Sequence, residues 1–331
     1  MTFKYENVFV ATTATSVGPY ENDGPLRGKF DKTYDNLYCG EKSWEKAEIK
    51  LQQDSIEILL KKANKQKKDI DVLVSGDLSN QIAVSTYAAE KFDIPQLGIY
   101  AACASSMEGI TIASSLIDSG KVKNAIVNVS THNHSCEKQF RNPIEYGAPK
   151  PKTATFTATG GAGILLSNNK SKIKIESSTV GTIIDMGEKD PLNMGAAMAC
   201  AAGDTINKHL RDTKRNINYY DLILTGDLGI YGKEILIDYM KTEYAIELGN
   251  NYNDCGTMLY NLDMQEEVMA GGSGSACCPL VTYTDIIPKL EKGTLKKVLI
   301  VATGALFSPT FIYQKENICA IAHAVSLEGI K

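Results

Sequence analysis

Cys103 sits in IPQLGIYAACASSMEGITIASSLIDS, from Ile94 to Ser119, flanked by Ala101, Ala102, Ala104, Ser105 and Ser106. A thiol among such small residues leaves room for a ligand to approach the backbone. Gln96 to Tyr100 reads as a buried strand, and Met107, Ile110, Ala113 and Ile117 recur with helical spacing. The pattern predicts strand, sharp turn and helix, with Cys103 at the helix start. Unpaired N–H groups and the helix dipole there favour a thiolate and lower its pKa. The turn can hold a nucleophile or an anion; the alternative for Cys103 alone is an inert buried thiol.

Other polar residues invite chemistry in their own right. Ser130, Thr131, His132 and Asn133 follow a predicted strand, and His132, His134 and Cys136 alternate as ligands on one strand face would. They lie beyond the expected strand end, so alternation by chance in a polar loop outweighs a metal site, and no metal is expected. Lys138 and Arg141 could supply countercharge to an anion or belong to a solvated helix turn. Asp77 and Asp227 each close a Gly-Asp-Leu turn after a strand, where capping a following helix is the ordinary role.

The elements that must position these residues repeat. DLILTGDL from Asp221 corresponds to DVLVSGDL from Asp71, and EKGTLKKVLIVAT from Glu291 mirrors DSGKVKNAIVNVST from Asp118. Strands are expected near Asn7 to Thr13, Asp71 to Ser75 and Asn124 to Ser130, with helices over Trp44 to Leu60 and around Val84 to Phe92. A duplicated α/β chain follows, with halves 1–168 and 169–331 divided at the polar run SNNKSK. Ligands in such sheets gather at strand ends, where Cys103 is expected.

The 331 residues are 43% hydrophobic with net charge −4, which argues against nucleic-acid binding; KKANKQKK reads as the solvated end of a helix. No signal peptide and no transmembrane segment is expected. The eight cysteines include no C-x-x-C pair, so neither disulfides nor a zinc site is expected, and Cys277 and Cys278 read as packing residues.

The Cys103 turn, the duplication, TATGGAGILLS from Thr157, AGGSGSACCPLV from Ala270 and VLIVATGALFSPT from Val298 together resemble the thiolase and ketoacyl-synthase fold. The resemblance implies a five-layered α-β-α-β-α core, a homodimer, and Cys103 at the position of the family's nucleophile. It also implies a histidine after the strand of DLILT and an asparagine or histidine in the later glycine-rich loop. Here those places read Gly226-Asp227-Leu228 and Gly272-Ser273-Gly274, and His132, His134, His209 and His323 lie elsewhere. Losing a base and an oxyanion donor costs orders of magnitude each, which argues against condensation.

GPLRGKFDKTYDNLYCGEKSWEKAE from Gly24, STHNHSCEKQFRNPIEYGAPKPKTAT from Ser130, DPLNMGAAMACAAGDTI from Asp190, NDCGTMLY from Asn253 and IAHAVSLE from Ile321 resemble the stage V sporulation protein AD family. That resemblance implies a non-catalytic binder of dipicolinic acid, pyridine-2,6-dicarboxylate, taken alone or as its calcium chelate, with no cofactor. It implies a role in spore germination and a place with other subunits of the spore dipicolinate transport complex, peripheral to the cytosolic face of the forespore or spore inner membrane. Expected ligand contacts are Cys103, Ala104 and Ser105 through helix-start N–H groups, Ser130, Thr131, His132 and Asn133 beside them, and Asp227 and Ser273 from the second half. The alternative is an acyl-CoA-dependent acyltransferase or condensing enzyme that uses Cys103 as nucleophile.

Overall fold

The computed structural model describes residues 1–140 and 150–330. Arg141 lies outside the described residues. Strands β1 (Phe9–Val17), β2 (Val72–Gly76), β3 (Gln96–Gly98), β4 (Asn124–Thr131) and β5 (Gly160–Ser167) form one sheet in the order β1-β5-β4-β2-β3. Strands β6 (Ile173–Val180), β7 (Leu222–Thr225), β8 (Tyr252–Asp254), β9 (Lys297–Leu306) and β10 (Cys319–Gly329) form a second in the order β6-β10-β9-β7-β8. The second order reproduces the first strand for strand. In each sheet the last three strands run parallel, while β5 and β10 run antiparallel to both of their neighbours. A single pairing, Phe9 with Lys174, joins the two sheets.

The sequence repeat returns as hydrogen bonds. Asp71 Oδ2 accepts the N–H groups of Lys123 and Asn124, each at 2.8 Å. Asp221 Oδ2 accepts those of Lys296 and Lys297 at 2.7 and 2.9 Å. The two aspartates therefore start equivalent strands and tie each to its neighbour.

Helices fill the layers. Helix α1 (Trp44–Lys62) packs on β1, β4 and β5 and against α2 (Ala83–Glu90), covering the outer face of the first sheet. Helices α5 (Met194–Thr213) and α6 (Gly229–Tyr244) cover the outer face of the second. Between the sheets lies α3 (Ser105–Asp118), which touches β2 and β4 on one side and β6, β9 and β10 on the other. The helical run 277–291 shares this middle layer, packing on β1, β5 and β10. Five layers α-β-α-β-α result, as the thiolase-like resemblance implies.

Apolar periodicity explains the middle helix. Met107, Ile110, Ala113 and Ile117 are all buried there, in a core shared with Ile300, Ala302 and Val325 of the opposite sheet. The eight cysteines are free thiols, and Cys277 and Cys278 pack in that core. One expectation fails: β3 is an outermost strand, with Leu97 45% exposed. Its apolar residues read as buried because a sequence run cannot show which strand lacks a neighbour.

Candidate functional site: the Cys103–Asp227 cavity

The chain reaches Cys103 through a strained turn. Ala102 has φ +49°, a left-handed conformation that costs a non-glycine residue about 1 kcal/mol or more. Ser105 holds it, its hydroxyl accepting from Ala101 N–H at 2.9 Å and donating to the Ala102 carbonyl at 2.8 Å. The second sheet approaches from the other side. A Cβ at Gly304 would lie 2.3 Å from the Ala101 carbonyl oxygen, so only glycine lets β9 come this close.

This turn corrects the anion-site expectation. Ala104 N–H and Ser105 N–H already donate to the carbonyls of Ala101 and Ala102, at 3.0 and 3.2 Å. The helix itself begins at Ser105, two residues beyond the thiol. Ala104 and Ser105 therefore shape the turn, with their N–H groups spent within it.

Asp227 crosses from the second half to meet the thiol. Its carboxylate lies close enough to the Cys103 thiol for each to shift the other's pKa, and it takes hydrogen bonds from the Thr303 hydroxyl at 2.7 Å and from Gly274 N–H at 3.1 Å. Gly274 has φ +101°, and a Cβ there would lie 3.0 Å from Thr131 Oγ1, so the loop needs glycine to aim that N–H. The two Gly-Asp-Leu aspartates have diverged. Asp77 is a cap, accepting Ser79 N–H and Ser85 N–H, each at 2.7 Å. In the second half Asp254 accepts Leu228 N–H and Gly229 N–H, both at 3.0 Å, which leaves Asp227 to the site.

Burial sets the electrostatics. It pushes the Cys103 thiol well above its ordinary value, and the neighbouring Asp227 adds to the rise. The helix start does not lower it, because desolvation of a fully enclosed thiolate outweighs a dipole whose end lies two residues away. Burial also raises Asp227 to about 7, against the pull of Thr303 and Cys103.

The cavity has an enclosed volume of about 40 Å³, widening to about 430 Å³ when its mouth is included. Cys103, Ser273 and Gly274 line it together with Cys136, Thr157 and Tyr100. Phe140 and Phe307 also face it, their rings 5.6 Å apart and edge to face. Of the expected residues, Cys103 and Ser273 line the space, Asp227 stands behind the thiol, and Thr131 buttresses Gly274.

Ser130, His132 and Asn133 do not line it. Ser130 points to the other face of β4, where its hydroxyl donates to Glu48 at 3.1 Å. His132 Nε2 pairs with the Leu37 carbonyl at 2.7 Å, and Asn133 donates to the Thr157 carbonyl at 3.1 Å. The segment Asn133–Phe140 is a helix, α4, so the alternation of His132, His134 and Cys136 does not put all three on one face. No group of three His, Cys, Asp or Glu side chains among the described residues is arranged to hold a metal ion.

The buried ionisable groups give a testable pH dependence. Glu21 and Asp227 are raised to about 7 and Glu48 to about 8, chiefly by burial. His132, His209 and His323 are lowered to about 4, also by burial. Acids with raised pKa stabilise most below their unfolded values and lose that contribution as pH rises through the folded ones; histidines with lowered pKa do so as pH falls. The two sets offset one another from about pH 4.5 to 6.5, and above that the acids act alone. Stability should then fall by on the order of 3 kcal/mol between about pH 6.5 and 8. Calorimetric melting across that range measures it, and a midpoint that rises with pH would contradict these assignments.

The model of stage V sporulation protein AD matches residues 1–328. The chain belongs to the stage V sporulation protein AD family. A protein of that name from Bacillus subtilis (strain 168) is 48% identical over 321 residues, covering 97% of this chain and 94% of the relative. This makes the chain a member of a sporulation family.

Solved structures agree on a thiolase-like fold. A 3-oxoacyl-(acyl-carrier-protein) synthase III from Aquifex aeolicus has a TM-score of 0.58 at 13% identity, covering 97% of this chain and 99% of that one. An OleA variant from Xanthomonas campestris has a TM-score of 0.63 at 12% identity, covering 98% and 99%. At such identities the likeness concerns the fold alone. No helix among the described residues is long and apolar enough to cross a membrane.

Proposed function

We propose that this sporulation protein is a non-catalytic binder of dipicolinic acid, needed for its uptake with calcium into the developing spore. The observation that carries the reading is the pairing of Cys103 with Asp227 under an aromatic rim. Phe140 and Phe307 give the mouth an apolar rim for a flat ring, whose two carboxylates would meet the hydroxyls of Ser273, Thr157 and Tyr100, with Asp227 behind Cys103 neutral below about pH 7. The enclosed 40 Å³ is too small for the ring, so the rim side chains must part to admit it.

The same pairing argues against acyl transfer. A thiol raised well above its usual value does not give its proton to a carboxyl near 7 without a cost of several kcal/mol. No histidine lines the cavity among the described residues. Incubation with acetyl-CoA followed by intact-mass measurement should find no adduct on Cys103; a stoichiometric acetyl shift would restore the acyltransferase reading.

In this account the chain is a peripheral subunit of a membrane transport complex on the cytosolic face. It is a homodimer, and the free edge at Gln96–Gly98, flanked by Tyr87 at 68% and Tyr100 at 44% exposure, supports that reading.

A further inference from the structure

A second and roomier cavity, of about 480 Å³, lies apart from Cys103 at the start of α1. Tyr20, Tyr38, Trp44 and His134 line it, with Asp23 and Asn36. The Trp44 ring is 6.4 Å from that of Tyr38 and 4.6 Å from that of His134, the latter edge on. Trp44 and His134 are thus in ring contact, while the Tyr38 ring stands farther off. Leu37, between Asn36 and Tyr38, is fixed from behind by its carbonyl bond to His132, and Tyr20 packs on Phe156 at 5.2 Å.

The lining side chains favour a cation, against the partial positive charge of the helix starts at Trp44 and Asn133. Among the described residues Asp23 has no salt bridge, and no lysine or arginine lines the space. Of the described lining groups only His134 could become cationic, and burial lowers its pKa, so it is neutral at pH 7. Ring faces carry negative quadrupole potential and attract a cation within about 6 Å of their centroids, most strongly at tryptophan. A dicarboxylate, by contrast, would meet Asp23 with nothing to offset it.

We propose that Tyr20, Tyr38 and Trp44 with Asp23 form a binding site for an organic ammonium cation, separate from the Cys103 cavity. The cation lies against the Trp44 and Tyr38 faces, and Asp23 supplies countercharge at the rim.

Trp44 is the chain's single tryptophan, so its fluorescence reports on this cavity alone. The test titrates the full chain, without dipicolinate, with tetramethylammonium chloride, and with sodium chloride at matched ionic strength. A saturable change with the organic cation only is expected. Asp23→Asn and Tyr38→Leu should each weaken it about threefold, as exposed cation–π and charge contacts do. Both residues are exposed, so neither change should lower the melting temperature.

Trp44→Leu should abolish the broadening of the tetramethylammonium methyl resonance that the wild-type protein produces. Repeating the titration with n-butylammonium separates sources: tighter binding of the quaternary ion assigns a small methylated amine, and tighter binding of the primary amine assigns a lysine-type head group. Equal responses to sodium and organic cation, or responses unchanged by both Asp23→Asn and Tyr38→Leu, would overturn the proposal.

Discussion

Cys103→Phe should abolish saturable dipicolinate binding, a loss of at least about 100-fold, while Cys103→Ala and Cys103→Ser bind within about threefold of the wild type. The thiol faces an enclosed space of about 40 Å³ and is backed by Ala102 and Ala104, both buried, so added volume can go only into the cavity. Overpacking of this kind costs about 1–3 kcal/mol of stability, which leaves a chain of this size folded and testable. Small replacements remove the thiol beside Asp227 but keep the space. If binding depended on thiol chemistry, alanine and serine would fail together with phenylalanine. Undiminished binding by the phenylalanine variant would put the ligand elsewhere.

The second large effect is on pH. Without calcium, dipicolinate affinity should fall by about 100-fold between about pH 6 and pH 9. The sign follows from Asp227, whose pKa is about 7. Below that value the carboxyl is neutral and tolerates a dianion beside it; above it the ligand must repay a proton, at about tenfold per pH unit. Asp227→Asn should remove the slope and keep tight binding at high pH. Calcium should flatten the wild-type slope, because a metal chelate can face the carboxylate directly. Isothermal titration at several pH values measures all three, and a wild-type affinity constant from pH 6 to 9 would contradict the role given to Asp227.

Much of the fold is legible because the duplication is written in residues with fixed jobs. Asp71 and Asp221 recur because each ties two N–H groups of an adjacent strand, and apolar periodicity marks α3 because both its flanks are buried. The Cys103 turn is legible for the same reason: alanines and serines are what a tight turn between two sheets accommodates.

The surroundings of that turn are less legible. Phe140, Phe307, Cys136 and Tyr100 reach the cavity from a helix end and loops, where no periodicity announces direction. Ser130 and Thr131 are neighbours in sequence but lie on opposite faces of β4, so proximity to the strand end could not separate the outward residue from the inward one. The direction of the Cys103 shift was hidden too. Sequence shows a helix start but not full enclosure, and enclosure dominates. The divergence of Asp77 from Asp227 depends on Asp254, which takes over the cap from a distant strand.

The most direct test of the central claim is calorimetric titration of the purified protein with dipicolinate, with and without calcium, using benzoate and acetyl-CoA for comparison. Saturable, one-site binding of dipicolinate is expected at about pH 6.5, with much weaker binding of benzoate, which lacks the second carboxylate, and none of acetyl-CoA. Heat and thermal stabilisation from acetyl-CoA with none from dipicolinate would contradict it.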